Sequence, residues 1–315
     1  MSVDDGTDVP LGSLVPGDRI GDGGQGEVFA LTSWPDLLYK KYRDPRQVDG
    51  DALAALVAVR RALPEGPRAA LDGTAAWPLC RVVGQDGRVT GFLMRRAPGP
   101  MSWRTDAGAT KLTELAFLLR PPKPAWQAVV QPSPAERYAL AVALVDALER
   151  LHTMGLVVGD LSAANILWTV RPEPAVFLLD CDGARLVGRP PVLAQADTID
   201  WADPLARGGS VSVDSDRYKS ALAVCRVLAC DAYAAPGAPF VPVPGCLDER
   251  REAAVRTLLE RAGGPYGTRP DLGQWRVALA GRDVIRLTAA APAPRPPVDR
   301  AKFDDLRRRH TIRLR

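Results

Sequence analysis

Apolar residues recur at intervals of three and four in three segments of the second half of the chain, and this spacing predicts amphipathic helices. The clearest segment is 136–152, which carries four leucines on one face: Leu140, Leu144, Leu148 and Leu151. The other two segments are 218–230 and 249–262. Since each such helix has one face to bury, the second half of the chain is predicted to be mainly helical.

The first third of the chain has short apolar runs separated by turn residues, which predicts strands. These runs flank a glycine-rich loop and recur at 37–42, 79–83 and 89–94. The Asp-Gly pair between the last two runs favours a hairpin. One segment, 51–63, has helical spacing instead. The whole pattern predicts an α+β fold, in which a small antiparallel β-rich part with one helix precedes a larger helical part.

The same pattern predicts boundaries along the chain. We expect a loose leader at 1–13, the β-rich part at 14–94, a short connection at 95–98, the helical part at 99–284, and a proline-rich linker with a basic tail at 285–315. Residues 299–315 hold seven Lys and Arg against three Asp, so they carry the whole net charge of +4. Any affinity for nucleic acid or acidic membrane therefore belongs to the tail, and no specific nucleic-acid partner is expected.

The turn between the first two predicted strands has the pattern G-x-G-x-x-G-x-V. Glycines lack Cβ atoms, so backbone N–H groups can approach phosphates closely. A dinucleotide-binding turn would open a helix, whereas strand-like residues follow here. A nucleotide-binding hairpin therefore fits better, with a plain glycine-rich hairpin as the alternative. The expected nucleotide contacts are Gly21, Gly23, Gly24, Gln25, Gly26 and Val28.

Two adjacent lysines, Lys40 and Lys41, lie on the next predicted strand. Side chains alternate across a strand, so only one lysine can face a cleft beneath the glycine loop. Lys40 follows Leu38-Tyr39 where the pattern V-A-I-K has its lysine, and it is predicted to bind the phosphates. Lys41 is predicted to be solvated.

A second group of polar residues follows the segment 136–152. Asp160 and Asn165 lie five positions apart, and Asp180 follows the apolar run 176–179. Phosphoryl transfer uses one carboxylate to orient the accepting hydroxyl, and an amide oxygen and a second carboxylate to hold metal. Asp and Asn are common in loops, so this spacing alone is a weak signal. Together with the glycine loop and Lys40, it predicts phosphoryl transfer from a nucleotide.

In order and spacing, these motifs resemble the eukaryotic-like protein kinase family, and most of all its bacterial branch. The resemblance covers about residues 14–284 and implies a bilobal fold that uses ATP and Mg²⁺. It implies that Asp160 and Lys40 are catalytic and that Asn165 and Asp180 hold the metal. The residues with other implied roles are Met94 and Arg96 at a hinge that binds the base, Asp216 as a buried structural aspartate, and Arg269 in an arginine–proline turn.

Several residues depart from the family's pattern. Gly159 stands where an arginine usually binds an activation-loop phosphate, and Ser162 stands where many members carry a lysine. Asp182 replaces the glycine of D-F-G and is interpreted either as a second acid behind the metal site or as a turn residue. Leu205 replaces the glutamate of A-P-E, so Arg269 is expected to lack its usual partner.

The largest gap concerns the ion-pair partner of Lys40. In the family it is a glutamate on the following helix, but the segment 51–63 contains none. The partner would be Asp49 or Asp51 at the start of that helix, an acid from elsewhere in the chain, or no residue at all.

Composition excludes several other classes of protein. No apolar run is long enough to span a membrane, and the acidic N-terminus does not resemble a secretory signal. Five cysteines without a C-x-x-C pair predict reduced thiols in a cytosol rather than a zinc site. The only histidines, His152 and His310, have no nucleophile motif nearby, which argues against a Ser-His-Asp hydrolase.

The motifs favour a cytoplasmic kinase that phosphorylates Ser and Thr hydroxyls of proteins. Two alternatives are kept: a nucleotide-binding pseudokinase that acts as a scaffold, and a phosphotransferase for small molecules. The resemblance implies protein substrates as partners, together with a PP2C-type phosphatase and a von Willebrand A-type protein. It also implies that the activity is constitutive or set by a partner, because the arginine that binds a loop phosphate is absent.

Overall fold

The computed structural model describes residues 5, 7–194, 198–206 and 211–282, and it places 1–283 in one compact unit. The predicted linker and basic tail, 285–315, lie outside the described residues. The fold is α+β, with a sheet in the N-terminal region and most helices in the C-terminal region. None of the helices in the described ranges is long and apolar enough to cross a membrane.

A six-stranded sheet forms the β-rich part, which we define as residues 7–95. Its strands are β1 (Val9–Pro10), β2 (Pro16–Asp22), β3 (Gly26–Leu31), β4 (Leu37–Tyr42), β5 (Cys80–Val83) and β6 (Val89–Arg95). Their spatial order is β1-β5-β6-β4-β3-β2, and all neighbours are antiparallel except β1 and β5. The prediction of an antiparallel sheet was thus wrong for the β1–β5 pair at one edge, which is parallel and makes the sheet mixed.

The missed strand β1 lies inside the segment that was predicted to be a loose leader, 1–13. Val9 is buried and packs into a core that includes Leu14, Tyr39 and Leu93. The prediction of a leader was therefore wrong for this strand. A two-residue strand has too short a pattern to show the alternation from which strands are predicted.

The β-rich part has two helices, rather than the one predicted: α1 (Gly50–Ala62), which packs on β5, and α2 (Glu65–Asp72), which packs on α1. The Asp49 carboxylate caps α1 by accepting the N–H groups of Asp51 and Ala52. At the other end, the buried Arg60 guanidinium donates to both carboxylate oxygens of Asp72, at 2.6 Å each. This pair fixes α2 against α1.

Within the described residues of the helical part, 99–282, lie four further α-helices: α3 (Pro134–Thr153), α4 (Val213–Ala229), α5 (Glu249–Ala262) and α6 (Leu272–Leu279). Ser133 and Glu136 form a capping box at the start of α3. The leucine face predicted for α3 is buried against α4 and α6. The three predicted helices therefore exist, and each begins at or before its predicted first residue.

Three pairs of short strands complete the helical part. They are β7 (Ser102–Arg104) with β8 (Thr110–Leu112), β9 (Leu156–Val157) with β12 (Arg185–Leu186), and β10 (Ile166–Thr169) with β11 (Ala175–Leu178). The loop 158–165 runs between β9 and β10, and the loop 179–184 runs between β11 and β12. Because these strands pair, the two loops that carry the predicted site are brought together.

Backbone hydrogen bonds join the β-rich part to the helical part. The Ala76 N–H donates to the Leu178 carbonyl, and the Leu178 N–H donates to the Thr74 carbonyl, both at 2.8 Å. The Asp49 N–H donates to the Val192 carbonyl, also at 2.8 Å. The start of α1 and the end of β11 are thereby held at fixed positions on either side of the predicted cleft.

The glycine loop offers a test of this packing. A Cβ at Gly26 would overlap the Lys41 carbonyl oxygen, whereas a Cβ at Gly24 would meet no atom within 4 Å. We expect Gly26→Ala to lower the free energy of unfolding by about 1–3 kcal/mol through overpacking. Gly24→Ala is the matched control and should stay close to the parent. Urea denaturation measures both, and equal stability of the two variants would contradict the strand pairing described here.

Candidate active site

Lys40 lies on β4 and is buried, whereas the adjacent Lys41 is exposed. The Lys40 Nζ lies 2.7 Å from Asp182 Oδ1 and 3.4 Å from Asp180 Oδ1. Burial alone would lower the pKa of Lys40, but the two carboxylates outweigh it and raise the pKa above its ordinary value. The ammonium is therefore charged and held by acids that come from 140 residues further along the chain.

The partner of Lys40 is thus an acid from elsewhere in the chain, which was one of the open alternatives. Asp182 is buried, and its second oxygen accepts a hydrogen bond from the Tyr42 hydroxyl at 3.1 Å. Burial and then the Asp182 charge raise the pKa of Tyr42 well above its ordinary value, so this tyrosine stays a donor. Sequence reasoning missed this role for Asp182. The signal in the sequence that could have indicated this role was the acid itself, because Asp182 stands where the D-F-G motif of protein kinases has its glycine.

A tight turn after β11 presents Asp180 and Asp182 together. Asp180 has a left-handed backbone conformation, with φ 52°, and a short 3-10 turn spans Cys181–Gly183. The Cys181 side chain is buried, and burial raises the pKa of its thiol, so the thiol remains protonated. Burying Cys181 anchors the turn, while half of the Asp180 side chain, 49%, stays exposed.

Asp160 and Asn165 lie together in the loop between β9 and β10. The Asn165 amide Nδ2 donates to the Asp160 carbonyl at 2.8 Å and to Asp160 Oδ2 at 3.1 Å. The Asn165 carbonyl in turn accepts the Leu179 N–H at 2.8 Å, which places it beside Asp180. Because the amide nitrogen is used internally, the side-chain oxygen of Asn165 is the atom that suits a cation. Carboxylate and amide oxygens are ligands that Mg²⁺ accepts.

The loop that carries Asp160 is held from below by Asp216 on α4. The buried Asp216 carboxylate accepts the N–H groups of Val158 and Gly159, the latter at 2.9 Å, and contacts His152 Nε2 at 3.1 Å. Gly159 has φ 81°, a conformation that favours glycine. The buried Lys219 Nζ donates to the Gly159 carbonyl at 2.7 Å. The position predicted for Asp216, a buried aspartate in a helix, agrees with these contacts.

Arg269 has a carboxylate partner, contrary to the expectation that it would lack one. Its two terminal nitrogens bind the oxygens of Asp203 at 2.6 and 2.8 Å, and both side chains are fully buried. Asp203 lies two residues before Leu205, which occupies the position of the expected glutamate. The acid that pairs with Arg269 therefore comes from the same segment, two positions earlier. Burial would raise the pKa of Asp203, but hydrogen bonds from Arg269 and the Leu205 N–H outweigh it and lower the pKa.

The glycine loop closes through the Gly23 N–H, which donates to the Gly26 carbonyl at 2.9 Å. The Arg43 Nε donates to the Gly23 carbonyl at 2.9 Å, and Arg43 also pairs with Asp22. On the other side Arg19 contacts Asp22 at 3.1 Å. These two exposed arginines flank the loop, and sequence reasoning did not identify them. Of the other loop residues predicted to contact a nucleotide, Gly21 and Val28 pair across β2 and β3.

The two predicted hinge residues differ in their positions. Met94 is buried on β6 opposite Leu38 of the lysine strand, as a residue lining a base pocket would be. The Arg96 N–H donates to the Asp36 carbonyl at 2.9 Å, and its Nε donates to the Pro35 carbonyl at 3.1 Å. The Arg96 N–H is therefore used within the fold, so a hydrogen bond from the Arg96 backbone to a base would have to use its carbonyl oxygen.

The structure thus brings Lys40, Asp180, Asp182, Asp160 and Asn165 into one connected site, with Asp216 and Arg269 as supports. The chain matches no family model, and no curated protein matches it. The resemblance to protein kinases accordingly rests on the motif residues alone.

The buried Asp203–Arg269 pair predicts a dependence of stability on pH. A carboxylate whose pKa is lowered on folding stabilises the fold above its unfolded pKa of about 4, and this contribution is lost as the pH falls through the folded value. Asp203→Asn should cost on the order of 3–5 kcal/mol at pH 7, since it removes the carboxylate bound at both terminal nitrogens of the buried Arg269 and leaves only Asp214 Oδ2, 3.6 Å away, as a countercharge. The difference in the free energy of unfolding between the parent and Asp203→Asn should decrease below about pH 4.

Denaturant unfolding between pH 3 and pH 8 measures this effect. The exposed Asp106 takes part in no ion pair with any described residue, so Asp106→Asn serves as the control and should track the parent. A difference in stability between the parent and Asp203→Asn that stays constant over the whole pH range would contradict the assigned pairing of Asp203 with Arg269.

Proposed function

We propose that the chain is an ATP- and Mg²⁺-dependent kinase that transfers the γ-phosphate of ATP to Ser and Thr hydroxyls of proteins. One observation carries this proposal. A buried lysine beside a glycine loop lies 3.4 Å from an acid, Asp180, that follows a separate strand pair and is tied to Asn165 and Asp160. Phosphate, metal and hydroxyl groups would each find a suitable partner there.

The proposed fold is bilobal and protein-kinase-like. Its N-lobe would be the sheet with α1 and α2, its hinge 95–98, and its C-lobe the helices α3 to α6. In this arrangement the backbone of the glycine loop and the Lys40 ammonium hold the triphosphate from above. The Asp180 carboxylate and Asn165 oxygen approach from below, and a Mg²⁺ held there would neutralise phosphate charge.

The proposed role of Asp160 is to orient the accepting hydroxyl and take up its proton. Asn165 donates to Asp160 Oδ2, and this hydrogen bond holds the carboxylate in one orientation. Asp216 holds the loop backbone through Val158 and Gly159, so the position of Asp160 does not depend on a loop phosphate. This supports a kinase whose activity is constitutive or set by a partner.

A second candidate is a nucleotide-binding scaffold without transfer. It is favoured by Ser162, which is buried where many kinases carry a phosphate-binding lysine. The first motive for this alternative, an absent partner for Lys40, is weakened by the carboxylate of Asp182 at 2.7 Å. A small-molecule phosphotransferase is the third candidate, and the transfer assay described below distinguishes it from the other two.

We also propose a cytoplasmic location and, besides protein substrates, a PP2C-type phosphatase and a von Willebrand A-type protein as partners. The location is supported by five free cysteines, four of them buried, which suit a reducing compartment. The partners follow from the family resemblance alone.

The first test concerns Asp160. Asp160→Asn should lower the rate of phosphate transfer by about a hundredfold or more, because the carboxylate that orients the hydroxyl is lost. ATP affinity should stay near that of the parent, since other groups hold the triphosphate. Transfer of label from ATP to a generic protein substrate and to a panel of small alcohols measures both the transfer rate and the class of acceptor.

Equal transfer rates for Asp160→Asn and the parent would remove Asp160 from the chemistry. A parent that binds ATP and transfers to no acceptor would favour the scaffold. Transfer to the small alcohols alone would favour the small-molecule enzyme.

The second test concerns the metal. In the parent, ATP should raise the melting temperature more with Mg²⁺ than without it, because a bound ligand stabilises the folded state. Asp180→Ala should abolish the Mg²⁺-dependent part of this shift. Asp106→Ala is the control and should keep it. A Mg²⁺-dependent shift that survives in Asp180→Ala would move the metal role to Asp182.

A further inference from the structure

The helix that follows Lys40 offers no buried acid. Its only carboxylate, Asp51, is exposed. The preceding Asp49 is used as the helix cap, because its Oδ1 accepts the N–H groups of Asp51 and Ala52. A phosphate-binding lysine nevertheless needs a countercharge when it is buried, since an unpaired ammonium in the interior is costly.

We propose that Asp182 is the positioning residue for Lys40, and that it couples the lysine to the turn carrying Asp180 rather than to α1. This inference rests on the proposed function, in that the group Lys40 meets is taken to be a nucleotide phosphate. It assigns Asp182 a role other than the two considered from sequence, a second acid behind the metal or a turn residue.

The two acids around Lys40 differ in depth and in distance. Asp182 lies 2.7 Å from Nζ and its side chain is 2% exposed, whereas Asp180 lies 3.4 Å away and is 49% exposed. The deep, short contact suits a permanent partner. The longer contact at the surface suits a carboxylate that can turn to a metal when nucleotide binds.

Both oxygens of Asp182 are already used by β4. Oδ1 accepts from Lys40, and Oδ2 accepts from the Tyr42 hydroxyl at 3.1 Å. Lys40 and Tyr42 lie two residues apart, so they point to the same face of the strand. The Asp182 carboxylate is also buried and already neutralised by the Lys40 ammonium, and this favours the positioning role over a metal role.

The short turn at 180–183 therefore sets the position of the Lys40 ammonium together with that of Asp180, the proposed metal ligand. The two acids flank Cys181, whose buried side chain anchors the turn. Phe92 on β6 adds its ring 5.8 Å from the ammonium. The arrangement uses no side chain of α1, whereas a rearrangement of the turn would disable both groups at once.

Calorimetric titration with ATP tests this inference, once with EDTA and once with Mg²⁺. Asp182→Asn should weaken ATP binding about tenfold under both conditions, because Lys40 loses its strongest orienting contact and the lysine acts without metal. Asp180→Asn should weaken binding only with Mg²⁺. Asp49→Asn, Asp51→Asn and Lys41→Met are matched controls and should bind ATP as the parent does.

A double-mutant cycle separates positioning from a merely structural role. In the Lys40→Met background, Asp182→Asn should change ATP affinity by less than about twofold, because a residue that acts through the lysine has no effect once the lysine is gone. The double variant also leaves no unpaired charge at this buried site, which protects its folding. Circular dichroism before each titration confirms that the variants are folded.

Additive effects of the two substitutions, or unchanged affinity in Asp182→Asn, would overturn the inference while leaving the proposed kinase function in place. Loss of binding in Asp182→Asn with Mg²⁺ only would assign Asp182 to the metal and overturn it as well. A parent that binds ATP with the predicted coupling but transfers no phosphate would support the inference and refute the kinase. A parent that binds no ATP would overturn both.

Discussion

The buried ion pair between Lys40 and Asp182 is the contact on which the site depends. An ammonium inside a sheet is tolerated only beside a carboxylate, so the strand and the distant turn must meet within hydrogen-bond distance. Tyr42 occupies the second oxygen, and Asp180 lies at the exposed side of the same group. The requirement to neutralise one buried charge thus fixes where the strand beside the glycine loop and the turn that carries Asp180 and Asp182 lie relative to each other.

The same physical solution recurs in the helical part. Asp216 holds the loop backbone before Asp160, and the fully buried Asp203–Arg269 pair ties the loop at Asp203 to the segment between α5 and α6. In both places an acid within the interior is satisfied by donors from another element, because an unsatisfied buried charge would destabilise the fold. The two loops are held in this way by side chains of the chain itself.

Local patterns were sufficient for most elements and insufficient for the shortest. The apolar spacing in α3 and α5 places those helices correctly, and strand alternation separates the buried Lys40 from the exposed Lys41. The strand at Val9 and the helix at 65–72 were missed. Each is formed by residues whose own pattern is short, and each is stabilised by partners elsewhere, namely β5 and Arg60.

The sequence by itself determined the kinds of residue in the site and the order in which they occur, because motif spacing and side-chain alternation are local properties. Only the tertiary structure decided which acid pairs with which base. Asp182 lies 142 residues from Lys40, and Asp203 lies 66 residues from Arg269. Such pairings depend on the rotation of a turn and on the depth at which a side chain is buried, and no pattern along the chain contains either quantity.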